Sequence, residues 1–401
     1  MAAISALAAG GPCYQQMASG QKSNYIACAI YYNMKKIEPL GYDEKRASEL
    51  ISGAGLDGLL LGAPENVYYA TGCPTLPGTG NPILYALRNA VPSFAYISQE
   101  GKVTLFTWFG VTLGVEYSSE LVTYADLGGA KDELQAFMQG KKKVGVDYGV
   151  PLHALQLIEN SGSSAVDGDR LIISMRLIKS GREIQMLEKS AGITQDVLEG
   201  IGSRLKAGVT RSDVMKESRA MMMQYGATGV DHLTVAFGAS NPEIMIDESL
   251  EREQLVTLDL GAVYEGYVSD IRRFYYSGER VPANDLKLFK TMAGIIDGLQ
   301  DYVLPGRQFG QVYDEAARLY EKNGLSPLFA TAGHSIGLVT EESHFSPGNE
   351  IELEKNMVVN LELYAPDKNG LMVGDEETYL ITEKGARRIT GIKREIRPLK
   401  L

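Results

Sequence analysis

A chain of 401 residues has room for two or three domains with a sizeable core. Its net charge of −11 argues against nucleic acid as the main partner, and no apolar run approaches the roughly 20 residues that span a bilayer. The three scattered cysteines, Cys13, Cys28 and Cys73, read as reduced thiols of a cytoplasmic protein and not as a disulfide framework.

Residues 1–33 are rich in Ala, Gly, Ser and Gln, have no clear period and lack the basic start and apolar centre of a secretory signal. Their composition predicts a disordered leader, with the folded chain starting at Met34. From Tyr42 the pattern is α/β. A helix is expected over Asp43–Gly53, with strands at Leu56–Leu61, Ser93–Ile97, Lys102–Trp108 and Lys143–Asp147. Helical stretches between such strands predict a mixed sheet flanked by helices, over residues 34–168. Trp108 and the pair Tyr68–Tyr69 read as core packing. A boundary is placed between Asp167 and Met175, after the loop Asn160-Ser-Gly-Ser-Ser164.

Residues 169–401 form the second unit. Ser180 and Glu183 make a capping box for a long helix carrying Ile184, Leu187, Ala191, Val197, Leu198, Ile201 and Leu205, which Gly208 stops. Thr210 with Asp213 caps a second helix to about Tyr225, in which Met221, Met222 and Met223 fill core. Strands follow at Leu233–Phe237, Leu255–Leu260 and Tyr267–Tyr276, then helices at Asp285–Val303 and Phe309–Asn323. The chain returns to strands at Val358–Tyr364 and Glu377–Thr382, with Glu376 opening the last one.

Within this unit Asp259, Asp270, His334, Glu362 and Glu376 each lie in or beside an apolar run. Burying a lone carboxylate costs several kcal/mol unless it is paired or binds metal. Alternation puts Thr257 and Asp259 on one strand face, and Asn360, Glu362 and Tyr364 on another. Gly261–Gly266 can turn the chain back and bring Asp270 near Asp259. Four acids and one imidazole suit two divalent ions, Mn, Fe, Co or Zn.

The order of these residues, at successive spacings of 11, 64, 28 and 14, resembles the creatinase/prolidase/methionine aminopeptidase (M24) superfamily. The surrounding words match too: Leu-Asp-Leu-Gly-Ala, Gly-Tyr-Val-Ser-Asp-Ile-Arg-Arg, Gly-His-Ser-Ile-Gly-Leu and Glu-Glu-Thr-Tyr-Leu-Ile-Thr. The resemblance implies a creatinase-type N-terminal domain and an α+β "pita-bread" catalytic domain with a curved, mostly antiparallel sheet. It implies Asp270 and Glu376 bridging two ions, Asp259 on one of them, and His334 and Glu362 on the other. Glu362 would also shuttle the proton of the nucleophilic water. It further implies a homodimer that hydrolyses the bond next to proline, as an Xaa-Pro dipeptidase or aminopeptidase. Arg273 matches a family arginine that pairs with acids near the site; Arg272 is expected to face solvent.

The pattern breaks at two positions. The peptidases carry a histidine about seventeen residues before the first aspartate, where this chain reads Gly238-Ala-Ser-Asn-Pro-Glu-Ile-Met-Ile246. They carry another seven residues after the ligand histidine, where this chain has Glu341. An ionised glutamate cannot donate to an oxyanion. Two explanations stand open. Either His232 or His344, on a loop beside Glu341, supplies the missing function. Or the substrate has changed to a small cationic molecule that Glu341 binds or deprotonates, as in ectoine hydrolase, creatinase or dimethylsulfoniopropionate lyase. On both, Glu362, Glu341 and His344 are the candidate catalytic residues.

Overall fold

The computed structural model describes residues 35–399 apart from positions 80, 242, 243 and 245, so the leader expected over residues 1–33 lies outside the described residues. Strand β1 (Lys35–Ile37) is followed by helix α1 (Glu44–Gly53), which Asp43 starts by accepting from the Arg46 amide. Strand β2 (Gly58–Leu61) is wholly buried. Helix α2 (Pro64–Thr71) begins on its proline, and Gly72 in the left-handed conformation closes it. Then come α3 (Ile83–Ala86), β3 (Phe94–Ser98), β4 (Val103–Trp108), β5 (Val115–Tyr117) and β6 (Glu120–Tyr124). The domain is completed by α4 (Leu127–Met138), β7 (Lys143–Val146), α5 (Leu152–Asn160) and β8 (Ser164–Asp167). Six of these strands form one sheet in the order β6-β4-β3-β2-β7-β8, with parallel and antiparallel neighbours, as alternating strands and helices predicted. Strands β1 and β5 pair separately.

The expected boundary is itself structured. Asp169–Leu177 forms helix α6, because its apolar residues Ile172, Met175 and Leu177 find a core to enter. Helix α7 (Gly181–Gly202) opens on the predicted Ser180–Glu183 capping box. It stops short of Leu205, consistent with the weak helix propensity of Gly200 and Gly202. Helix α8 (Arg211–Gln224) is capped by Thr210. Met221 and Met222 are buried on it, whereas Met223 is exposed, because three consecutive helical residues cannot share one face.

The second unit continues through β9 (Gly229–Phe237), β10 (Leu255–Tyr264), β11 (Tyr267–Val268) and β12 (Ile271–Tyr276). Helices α9 (Ala283–Tyr302) and α10 (Phe309–Lys322) precede β13 (Gly333–Ser335), β14 (Ser343–His344) and β15 (Val358–Pro366). The chain closes with β16 (Met372–Thr382), β17 (Gly385–Arg388) and β18 (Ile396–Pro398). Glu376 therefore sits inside a strand and does not open one: Met372–Gly374 extend β16 by pairing with Tyr364–Pro366. One sheet runs β11-β10-β12-β18 with β9 also on β10; the other runs β14-β13-β15-β16-β17. All pairs but β12–β18 are antiparallel. Helices α7 and α8 cover the first sheet through Val197, Leu198 and Met222; α9 and α10 cover the second through Ile295, Ile296 and Val312.

The two sheets meet through β12 on one side and β15 and β16 on the other. Arg273 on β12 donates to the Glu376 carbonyl at 3.1 Å and to the Glu377 carboxylate at 2.6 Å. Asn360 on β15 donates to the Asp270 carbonyl at 3.2 Å. The N-terminal domain packs onto this seam through a shared core in which Leu59, Tyr69 and Cys73 join Tyr267, Ile336 and Val358. Tyr69 is buried there as expected. Among the described residues no helix is long and apolar enough to cross a membrane.

Candidate metal centre

The site lies where the sheets join. Asp259 is on β10, Asp270 in the step between β11 and β12, His334 on β13, Glu362 on β15 and Glu376 on β16. Register aligns them: Glu362 pairs directly with Glu376, and His334 with Asn360. Asp259, Asp270, His334 and Glu376 are buried, while Glu362 keeps one side toward solvent. Strands hold such groups rigidly, which shared ligation requires. Gly333 is part of the same construction. Its φ of 125° is closed to most side chains, and a Cβ there would lie 2.1 Å from the Asn360 carbonyl oxygen.

His334 Nε2 stands 3.4 Å from Asp270 Oδ2 and 3.7 Å from Glu362 Oε2. Neither His334 Nε2 nor Glu376 Oε2 has a hydrogen-bond partner, although both are buried. Buried polar atoms are rarely orphaned. Ligand atoms about 2.0–2.2 Å from one ion sit roughly 3.0–3.4 Å apart, so these separations suit a shared cation. Asp270, His334 and Glu376 form one group with mutually close donor atoms, and Asp259, Glu362 and Glu376 another. The residues present thus fit divalent metal.

Electrostatics show the same need. Burial, then the charges of Asp270 and Glu362, push the Glu376 carboxyl well above its usual range. Burial, opposed by Arg272 and reinforced by Asp270, lifts Glu362 to about 7. Burial works against the charged form of His334, but Asp270 and Glu362 outweigh it and raise the ring to about 9. Without a cation these groups must share protons; a bound divalent ion would replace those protons and reverse the shifts.

Three further groups reach the site. Arg272 does not face solvent as expected. It pairs with Asp259 in β-register, contacts that carboxylate, lies 3.3 Å from Glu362 Oε1, and stacks 4.2 Å over the Tyr364 ring. The alternation of β12 sends Arg273 to the opposite face, and both arginines are engaged: Arg272 by Asp259, Arg273 by the buried Glu377. The Tyr364 hydroxyl in turn contacts Glu362. His232 on β9 places Nε2 3.3 Å from Asp259 Oδ1 and 3.2 Å from Asp270 Oδ1. The sequence pointed to His232 only as a possible stand-in for a missing histidine; the β9–β10 register sets it beside the two aspartates.

The Glu341–His344 pair sits at the rim. His344 is on β14 and not on a loop, because it pairs in register with His334, and the two rings lie 6.3 Å apart. Its Nε2 lies 2.7 Å from Glu341 Oε2, and both side chains are about half exposed. Glu341 is therefore engaged by a neighbour. Glu342 beside it is unlike it: fully buried, it bonds Arg176 and Lys179 at the domain junction.

A two-sheet unit with acids and two imidazoles gathered at its seam, capped by a mixed α/β domain, defines a metal-dependent hydrolase of the pita-bread class. The profile of metallopeptidase family M24 matches residues 185–383, and that of the creatinase/prolidase N-terminal domain matches residues 45–178. The chain belongs to the M24 creatinase/prolidase superfamily. It is 29% identical over 371 residues to an uncharacterized peptidase, YqhT, of Bacillus subtilis, covering 88% of this chain and 98% of that one. It is 25% identical over 368 residues to an Xaa-Pro dipeptidase of Pyrococcus horikoshii, covering 88% and 97%. The prolidase structure from Pyrococcus horikoshii superposes with a TM-score of 0.75 at 23% identity, over 88% of this chain and 99% of that one. A dipeptidase structure from the same organism gives 0.77 at 21%, over 89% and 99%. The fold is therefore that of the prolidases.

Proposed function

We propose that this chain is a metal-dependent peptidase that cleaves the bond between an N-terminal residue and proline, using two divalent ions. The observation that carries the reading is the convergence of Asp259, Asp270, His334, Glu362 and Glu376 at one sheet seam, with His334 Nε2 and Glu376 Oε2 buried and unbonded. Asp270 and Glu376 would be shared between the ions, Asp259 would serve one, and His334 and Glu362 the other. Metal bound there supplies Lewis acidity for the scissile carbonyl and an acidified water.

The chain's own groups supply the rest. Glu362, mostly buried with one side toward solvent and touched by the Tyr364 hydroxyl, takes the water's proton and returns it to the leaving nitrogen. His344 lies on the strand beside His334, and with its Nε2 turned to Glu341 it would use Nδ1–H as the donor to the carbonyl oxygen as that gains charge. Glu341 spends its carboxylate on His344 and so is not a free anion awaiting a cationic substrate. Arg272 adds a fixed positive charge beside Asp259 and Glu362, which further disfavours a cation. Support for a proline peptide comes from the Xaa-Pro dipeptidase of Pyrococcus horikoshii named above.

The test is direct. Protein loaded in turn with Mn, Fe, Co and Zn is incubated with Xaa-Pro dipeptides, with longer Xaa-Pro peptides, and with cationic osmolytes and amidines. Release of the N-terminal residue is expected. Its absence with every metal, or turnover of a cationic small molecule in its place, removes the proposal.

A further inference from the structure

We propose that His232 is a sixth metal ligand, serving the ion on the Asp259 side. The inference deepens the metal-dependent reading and rests on it. Asp270 carries the argument. Its Oδ2 faces His334 Nε2 at 3.4 Å, and its Oδ1 faces His232 Nε2 at 3.2 Å. Each oxygen of the one central carboxylate thus looks at a different imidazole. His232 Nε2 is also 3.3 Å from Asp259 Oδ1. A single N–H cannot point well at two carboxylate oxygens, whereas one cation inside that triangle is coordinated by all three atoms. The separations are those expected of ligands about 2.0–2.2 Å from a common ion.

The ring is also prepared from behind. His232 Nδ1 lies 2.9 Å from Asp231 Oδ2, and the Thr340 hydroxyl donates to that same oxygen. A carboxylate on the far nitrogen fixes the tautomer that leaves Nε2 as a lone pair, and it raises the ring's basicity toward metal. The space was made for it as well. Gly261 sits opposite His232 at an irregularity in the β9–β10 pairing, and a Cβ at Gly261 would lie 2.5 Å from both His232 Cε1 and the Ser269 carbonyl oxygen and 2.6 Å from His232 Nδ1. Any larger residue two places after Asp259 would push the ring away.

Arg272 explains why a sixth ligand is needed. Its guanidinium occupies Asp259 Oδ2, which leaves Oδ1 alone for metal. His232 supplies the donor that the arginine withholds. Each ion then sees one imidazole and the carboxylates around it: His334 on one side, His232 on the other. Such a balanced nitrogen–oxygen set favours Zn, Co or Fe over Mn.

The experiment uses the full chain stripped of metal and titrated with Co(II), followed by visible absorption and elemental analysis, with X-ray absorption to count imidazoles. Two ions per chain and two imidazoles across the pair are expected. His232→Ala should keep the first ion with affinity within about threefold, weaken the second at least tenfold and lose one imidazole; Asp231→Asn should weaken the second by roughly 10–100-fold. Gly261→Ala should mimic the loss with His232 still present, and the wild-type imidazole count stands even if a variant fails to fold. Two ions with unchanged affinities in His232→Ala, or a wild-type spectrum with one imidazole, overturns the inference alone. A single ion in the wild type also overturns it. A wild type that takes up no metal overturns it together with the metal-dependent reading above.

Discussion

Glu342 gives the sharpest test of how the two domains are locked together. Its Oε1 is 2.7 Å from Arg176 Nη2 and its Oε2 2.6 Å from Lys179 Nζ, and these side chains are 2%, 5% and 1% exposed. Arg176 and Lys179 flank the junction between α6 and α7, while Glu342 belongs to the catalytic unit. Replacing it by glutamine keeps the shape and an acceptor but leaves two buried cations without their anion. Breaking a buried pair from one side costs about 3–5 kcal/mol. The lower end applies, because Arg176 keeps its 2.7 Å bond to Asn66 Oδ1. With a urea slope of about 3 kcal/mol/M, a loss of about 3 kcal/mol lowers the unfolding midpoint by about 1 M. The pH dependence supplies a second arm. Burial opposes ionisation, but Lys179 and Arg176 outweigh it and hold the Glu342 carboxyl below its ordinary range. A depressed carboxyl contributes stability that is complete above the unfolded value of about 4.3 and disappears as pH falls through the folded one. The gap between wild type and Glu342→Gln, read by urea unfolding, should therefore be full at neutral pH, begin to shrink as pH falls past the unfolded value and close only as it passes the lower folded one. A midpoint shift under about 0.2 M at neutral pH would refute the reasoning.

Glu362→Gln should lower Xaa-Pro turnover by a hundredfold or more, since glutamine cannot carry the proton; steady-state kinetics on metal-loaded protein checks this. Glu341→His should preserve or raise peptidase activity, because it replaces an acceptor at the rim by a donor. A hundredfold fall with unchanged metal content would instead favour a cationic substrate. Gly333→Ala should destabilise by more than about 1 kcal/mol and weaken metal uptake, because the new Cβ drives into the Asn360 carbonyl behind His334. Thermal unfolding and elemental analysis read the two effects, and unchanged values for both would show that the strand relaxes freely. Light scattering at micromolar concentration should report twice the chain mass, as the family resemblance implies; a monomer would contradict it.

Local chemistry was legible in the sequence wherever it is settled by neighbours along the chain. Ser180 and Glu183 cap α7 from three residues apart, and Thr210 caps α8 in the same way. Alternation alone put Asn360, Glu362 and Tyr364 on one face, and in the structure Asn360 bonds Glu376 while Tyr364 touches Glu362. The five metal-side residues were readable because buried acids need compensation and their order matched a family. Pairing register was not readable, since it joins residues far apart in sequence. It turned Arg272 inward against Asp259, where the pattern Ile-Arg-Arg offered no choice between Arg272 and Arg273. It set His344 beside His334 on a strand, and it moved Glu376 from the start of β16 to its middle. It brought His232 over the bare backbone of Gly261, within reach of both aspartates. Sequence thus picked out the acids and the imidazole that the structure gathers at one place, through burial, periodicity and the family resemblance. The antiparallel pairing of β9, β10, β12 and β13–β16 decided which of them face one another, because strand register is a property of two chains side by side and not of either alone.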